Sequence, residues 1–592
     1  MLNQIFQPKK IIILFLSVLL YLASIVVVFY GTKNFRLWPS LFISILAITI
    51  PVLVFNLKNW FWAVLKLIKN LKKEQKIFLS AAIAFSFIIH FFLLGKFPYT
   101  SWQDEVRDGG LQTKMLFENK ANPLGYGAYE AQGTVIAEMT MPFYYLFPNS
   151  VYAYRIPAAI LGFLSTILVW IIIQLLMTKK QKKNSQTQLL AILAIFILAA
   201  LPLHMYYSRT EIVINSSTFL TLILVLLSLL LIQNCNVNNL IAWSLIAGFS
   251  FNFHTSTKIA VLVIAIYTLA ALFLSKRKEF WLILISFFFF FFVGFGPRII
   301  FTRIDNFSYQ QQETFTSESN NSSFLSQIID RYHQSFFVYF NQPTTARCPY
   351  HQPIVPLYLQ PFFFVGLVYL LFQSTKTGLI AFLLLIFPLT NSALSNILNG
   401  AHRLSPLFSL SVIAIILGLT FLFEKFARNI NSQVKKITSW LIILIIIIIS
   451  VKQTLKIFNN RLFEDNQDIY RFLTVNTVNL LKKHPASLKQ VCFISIPEIN
   501  DYFQPMHVQE YFEYFLPRVK INTSASQFPL KYNVGLIVAK KCNPEKISSL
   551  TRIKFCPYEQ NKTLLNCPKA SNQWGAKMID NQLRLLIDND LL

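Results

Sequence analysis

Along most of the chain, apolar residues run almost unbroken for roughly 18 positions or more, enough to cross a bilayer as a helix. Such runs occupy 11–30, 38–56, 77–95, 152–177, 188–203, 216–233, 239–253, 258–274, 280–296, 356–373, 377–394, 404–423 and 438–452. Continuous runs, in place of the weak alternation of a membrane barrel, predict helices. The expectation is a polytopic α-helical membrane protein with about thirteen transmembrane helices. The first run follows "QPKK" as a secretory signal would, but it is too long and no small-residue cleavage site follows, so it reads as a retained helix.

Past residue 452 the pattern changes. Charged residues return and the apolar runs shorten to strand length: "QVCFISI" (490–496) and "YNVGLIVAKK" (532–541) read as buried strands. Residues 466–484 have helical spacing instead. A C-terminal α/β domain of about 130 residues, enough for a core of its own, follows. Three regions result: 1–76, two helices and a basic loop; 77–452, the main membrane domain with outer loops 96–151 and 297–355; and 453–592, a soluble extracytoplasmic α/β domain.

Composition agrees with the membrane reading. Of 592 residues, 54% are hydrophobic and only 13% charged, where a soluble chain carries about a quarter. The net charge of +27 does not point to nucleic acid, because no basic stripe with interleaved aromatics lies on a soluble segment. Lys and Arg collect instead in the short loops 57–77, 178–184, 275–279 and 424–436. With a cytoplasmic N-terminus these follow the second, fourth, eighth and twelfth spans and all fall on the cytoplasmic side. The last span then delivers the tail to the outside. Cys492, Cys542, Cys556 and Cys567 of the tail and Cys348 of the second outer loop would meet an oxidising compartment there, and their spacing suits disulfides better than zinc.

Candidate chemistry lies at the outer ends of the spans. The stretch "KFPYTSWQDEVRDGG" (96–110) puts Asp104 and Glu105 side by side just beyond an apolar run. A carboxylate there can be an interfacial anchor. Ionisable groups at a membrane boundary also mark substrate paths, and a neighbouring carboxylate in low dielectric raises a carboxyl pKa toward a general base's range. Arg155 opens the next span, placed either to snorkel or to take a phosphate by bidentate bonding. The stretch "LPLHMYYSRTEIVINSSTF" (201–219) reads as a short outer turn with His204, Arg209, Glu211 and Asn215. His254 and Lys258 share a later hairpin, and His402 and Arg403 precede another span. Acids suit deprotonation of an acceptor, and bases suit neutralising a leaving phosphate. No P-loop, dinucleotide fingerprint, zinc-protease or nucleophile-elbow motif stands out.

The order of these stretches resembles that of the GT-C membrane glycosyltransferases, specifically the bacterial group with protein O-mannosyltransferases and the aminoarabinose transferases of lipid A. The carriers are "SWQDEVRDGG", "YRIPAAILG", "LPLHMYYSRTE", "HTSTK" and "HRLSP", over roughly residues 77–425. The resemblance implies a GT-C fold in a bacterial plasma membrane. It also implies inverting transfer from a polyprenyl-phosphate-linked sugar donor, among membrane lipids, to an acceptor protein, lipid or surface glycan. Asp104 would be the base and Glu105 would orient the acceptor or a basic partner. Arg155, Lys258 and Arg403, beside His402, would hold the lipid phosphate; Arg209 and Glu211 match loosely. The chain departs from the group in having two spans ahead of the one leading to the acidic pair, and Lys258 where Arg is common. The residues prescribe no cofactor and leave a divalent metal open. A multi-pass transporter or lipid flippase is the competing class, set back by the lack of an internal repeat and of mid-membrane charges.

Overall fold

The computed structural model describes residues 58–95, 105–118, 135–210, 212–275, 280–295, 324–340, 353–394, 403–426 and 431–459. In the tail it describes strands at 490–493, 520–522, 536–539, 574–578 and 584–588. The expected spans 11–30 and 38–56 and the helix expected at 466–484 lie outside these descriptions, as do Cys348, Cys542, Cys556 and Cys567 of the cysteines expected to pair, while Cys492 falls within the strand at 490–493. The chain divides into two compact units. One comprises Met1–Leu94, Met115–Met139 and Arg155–Asn459; the other comprises Gly95–Lys114, Thr140–Tyr154 and Asn460–Leu592.

The described residues between 58 and 459 are mostly helical. After α1 (Lys58–Lys69) and α2 (Lys73–Phe91) come the short α3 (Gln112–Phe117), α4 (Val135–Leu146) and α5 (Val151–Leu176). The last turn of α1 carries Lys66 and Lys69, while Phe61 and Trp62 are exposed, the pattern of a helix lying at a membrane surface. The chain continues through α6 (Lys179–Lys183), α7 (Ser185–Ala200), α8 (Pro202–Thr210), α9 (Ile212–Gln233), α10 (Val237–Ser250) and α11 (Thr255–Leu274). Then follow α12 (Phe280–Phe295), α13 (Phe324–Phe337), α14 (Gln360–Gln373), α15 (Thr375–Leu394), α16 (Pro406–Phe426) and α17 (Ser432–Asn459). Six helices are long and apolar enough to cross a membrane, and the pair α7–α8, bent by 60°, makes a seventh if it is one broken span. The protein is therefore an integral, multi-pass membrane protein. Each expected span from 77–95 onward coincides with a helix, although α10, α12, α14 and α15 are shorter apolar pieces.

Local signals start these helices. Thr178 caps α6 in a reciprocal box, accepting from the Gln181 amide at 3.2 Å while its own amide donates to Gln181 Oε1 at 2.9 Å. Asn184 and Asn236 cap α7 and α10 through the amides two residues on. Helices apolar on every side belong in the middle of a bundle, and 89% of the most apolar stretch of α16 is buried against 22% of that of α17. Two pairs of glycines let backbones touch. A Cβ on Gly366 of α14 would stand 1.8 Å from the Ala414 carbonyl of α16, and one on Gly418 of α16 would stand 2.1 Å from the Phe362 carbonyl of α14. Gly248 and Gly294 do the same for α10 and α12. This small-residue packing replaces the hydrophobic drive that lipid removes.

Three of the expected basic loops meet at one end of this unit. Gln75 Nε2 donates to the Ser185 carbonyl at 3.1 Å, Gln181 Nε2 donates to Glu424 Oε2 at 3.2 Å, and Lys436 pairs with Glu74 at 3.0 Å. Lys182 lies in the same region, where burial and then the Lys376 charge lower its pKa.

In the second unit the described strands are β1 (Gln490–Phe493), β2 (Lys520–Asn522), β3 (Leu536–Ala539), β4 (Trp574–Met578) and β5 (Arg584–Asp588). They form one mixed sheet of order β2-β1-β3-β5-β4. β1 pairs parallel with β2 and antiparallel with β3, while β5 pairs parallel with β3 and antiparallel with β4. Both stretches read as strands supply strands, β1 and β3.

Candidate functional site

The first two turns of α9 gather the segments that carry most of the expected basic residues. "NSST" (215–218) opens an otherwise apolar helix, and each of these side chains is buried. Asn215 Nδ2 donates to the Ala158 carbonyl of α5 at 2.5 Å. Ser217 Oγ accepts from Thr257 Oγ1 at 2.6 Å and Ser256 Oγ at 3.2 Å, both in the first turn of α11. Thr218 Oγ1 donates to the Ser405 carbonyl at 3.1 Å, and Ser405 Oγ returns a bond to the Ile214 carbonyl at 3.3 Å. The turn 403–405 leads directly into α16.

Three helix N-termini thus share this place, those of α9, α11 and α16. His254 Nδ1 caps α11 by accepting from the Ser256 amide at 3.3 Å. Helix N-termini present unpaired amides and a positive partial charge. Lys258 sits in the first turn of α11, half-buried, and Arg403 stands just before α16, 4% exposed. From this end, α16 runs to Glu424, which accepts from Gln181 at the basic-loop end. The two ends lie about 30 Å apart at the rise of an α-helix, the thickness of a bilayer's hydrocarbon core.

Arg155 and Arg209 do something more specific than snorkel. Both are fully buried, and both donate to carbonyls at the C-terminal end of α2. Arg209 Nη1 donates to the Ile89 carbonyl, Arg209 Nη2 to that of Phe92 at 2.7 Å, and Arg155 Nη1 to that of Leu94 at 3.1 Å. Between the last two lies Leu93, whose φ of 54° is left-handed and costs an L-residue roughly 1–2 kcal/mol. Deeper in the same bundle, the His90 and His204 rings lie 5.6 Å apart. His90 Nδ1 donates to the Ser86 carbonyl at 2.6 Å. Gly162 makes room there: a Cβ on it would stand 2.3 Å from Ser208 Cβ and 2.9 Å from His90 Cδ2.

The second unit holds the acidic segment. Glu105 is the first residue of a π-helical stretch, Glu105–Leu111, a rare geometry that recurs at functional sites. Glu105 and Arg107 are each buried, as are Gln112 and Lys114, and Thr113 Oγ1 donates to the Gly109 carbonyl at 2.7 Å. Asp104, Glu211 and His402 lie outside the described residues. Among the described residues, no three His, Cys, Asp or Glu side chains gather closely enough to hold a metal ion.

The structure therefore brings the segments of Lys258 and Arg403 together on α9, and Arg155 and Arg209 together on α2. The expected outer turn at 201–219 is instead occupied by α8 and the start of α9; Pro202 takes the first position of α8, where its missing N–H costs nothing. Ser217, Thr218, Thr257 and Ser405 were not singled out from the sequence. Four consecutive polar residues opening an apolar span were the available signal.

Fold and cluster together define a multi-pass α-helical membrane protein with a buried, hydrogen-bonded knot of helix N-termini at the end away from its basic loops. No protein-family model matches the chain, and no curated protein matches it. Among solved structures, ArnT from Cupriavidus metallidurans bound to undecaprenyl phosphate matches with a TM-score of 0.41 at 13% identity, over 69% of this chain and 72% of that one. The same protein in its apo state matches with a TM-score of 0.43 at 10% identity, over 75% and 88%. A likeness this distant carries no argument about activity.

Proposed function

We propose that the chain is a GT-C-type glycosyltransferase, moving a sugar from a polyprenyl-phosphate donor to an acceptor on the outer side of the membrane. The observation that carries the reading is the meeting of three helix N-termini with Lys258 and Arg403 at one end of the bundle. Oriented amides and fixed cations in a water-poor site suit a phosphate. The ordered motifs of the sequence supply the rest, above all the acidic pair of the first outer loop.

In this reading Asp104 takes the proton of the acceptor's nucleophile, and Glu105 orients the acceptor or a basic partner. The nucleophile attacks the anomeric carbon from the face opposite the lipid phosphate, the carbon–oxygen bond to phosphate breaks, and the configuration inverts. Lys258, Arg403 and the neighbouring His402 then face the charge that grows on the leaving phosphate. Charge stabilisation of this kind is worth about 3–4 kcal/mol per well-placed donor. The acceptor is a protein, lipid or surface glycan.

Asp104→Asn is expected to abolish sugar transfer from polyprenyl-phosphate sugars while membrane insertion and yield stay normal. Full activity in that variant would remove Asp104 from the mechanism. The 60° break between α7 and α8 is a feature that favours a transporter or flippase, since such proteins bind substrate at broken helices. Flux of a lipid or solute without any covalent product would establish that alternative.

A further inference from the structure

We infer that a slot between α16 and α17, at the basic-loop end of the bundle, holds one acyl chain of an anionic phospholipid whose head group meets Lys435. The slot lies at the opposite end of α16 from Arg403, and its occupancy does not depend on which reaction the chain performs.

The spacing of residues in two helices builds the slot. Leu419, Leu422, Phe423 and Phe426 share one face of α16, and Lys435, Thr438 and Ile442 share one face of α17. Both helices pack against α7, whose Leu190 lines the slot together with Phe362 of α14. Glu424 and Lys436 mark the basic-loop end, so Phe426 and Lys435 stand at the mouth. From there the lining runs inward to Leu419 on one side and Ile442 on the other, about 10 Å at the rise of a helix. The volume is about 230 Å³.

Shape and charge together select the occupant. Lys435 and Thr438 alone among the lining side chains are polar, which suits hydrocarbon and not a sugar or nucleotide. A protein helix of the same length, about 10 Å across, would need roughly three times that volume. Beside the slot α17 exposes Ile437, Leu441 and Leu444, an apolar surface that in a multi-pass protein meets lipid tails. At the mouth, neighbouring cations are already answered. Lys436 pairs with Glu74 at 3.0 Å, and the Lys425 ammonium lies 5.7 Å from the centre of the Phe421 ring. Lys435 is half-buried, and among the described residues its ammonium has neither an ion pair nor a hydrogen bond. The carboxylates of Glu74 and Glu424 are engaged elsewhere. A lysine stem along an apolar wall with its charge at the membrane surface is the arrangement that receives an anionic head group.

The test uses the full chain in detergent, read by native mass spectrometry, with dioleoyl phosphatidylglycerol or dioleoyl phosphatidylcholine added at equal concentration. One phosphatidylglycerol per chain is expected to be retained at higher occupancy than phosphatidylcholine. Lys435→Gln should weaken phosphatidylglycerol about fivefold and leave phosphatidylcholine within about twofold. Thr438→Trp, which fills the slot from α17, should remove the bound lipid altogether. Equal retention of the two lipids by the parent chain would overturn the inference, as would phosphatidylglycerol held unchanged by Thr438→Trp. If that variant fails to accumulate, Ile442→Trp enters the same slot one turn further along and decides the question. Displacement of phosphatidylglycerol by an equal concentration of polyprenyl monophosphate would assign the slot to that lipid instead. A disulfide from Ile442→Cys to a cysteine placed in 11–56, or to a second copy of the chain, would assign it to protein and sink the lipid reading.

Discussion

Ser217 shows how little material fixes the knot of helix N-termini. Its one hydroxyl accepts from both Ser256 and Thr257, so it tethers the turn from which Lys258 projects. Ser217→Ala removes that acceptor. Interhelical hydrogen bonds in membranes are modest, and the loss is expected at about 1 kcal/mol, read as a lower unfolding midpoint in detergent. Ser217→Val should cost more, about 1–3 kcal/mol, because the site is fully buried and extra methyls force neighbours apart. Under the proposed function both variants lower transfer by displacing Lys258. At this scale the sequence was half legible. Arg155, Arg209 and Arg403 stood out because a charge in or beside an apolar run has few innocent explanations. What Arg155 and Arg209 hold did not, since the acceptors at Ile89, Phe92 and Leu94 are backbone carbonyls, and a carbonyl leaves no trace in residue identity.

Among elements, the α14–α16 contact is the most sensitive to a single atom. Each helix brings a glycine against a carbonyl of the other, and even one methyl on Gly418 would overlap the Phe362 carbonyl. No rotamer change relieves a clash with backbone, so Gly418→Ala must push the helices apart. A loss of about 1–3 kcal/mol is expected, seen as earlier aggregation on heating. A combined Gly366→Ala and Gly418→Ala chain should lose less than the sum of the two, because separating the helices once relieves both contacts. Helices of span length announced themselves in the sequence by apolar runs, from α2 to α17. The pieces that did not are short or polar: α4 and α13 lie inside expected loops, and α8 carries His204 and Arg209. Their helicity is decided by burial among neighbours, as in α8 where every residue is buried, and that tertiary contribution is absent from local pattern. Asp104 and His402 could be proposed from motif order alone, and no description of the fold adds to them.

For the molecule as a whole, the sidedness of charge becomes a measurement. The contacts Gln75–Ser185, Gln181–Glu424 and Lys436–Glu74 gather loops that the positive-inside rule assigns to the cytoplasm. In a chain stripped of native cysteines, a thiol at Lys180 is expected to label only from the cytoplasm and a thiol in the tail only from outside. Labelling of both from one side would overturn the assignment. The bend after α7 also bears on how the chain is made. α8 carries a buried arginine, and inserting one costs up to about 2.5–3.5 kcal/mol on translocon scales, less toward the end of a span. Ribosomal order eases that step, because α2 and α5 leave the tunnel first and the carbonyls that receive Arg209 are already synthesised. A circular permutant that delivered residues 202–210 ahead of 73–94 would present the charge to lipid with its acceptors still unmade.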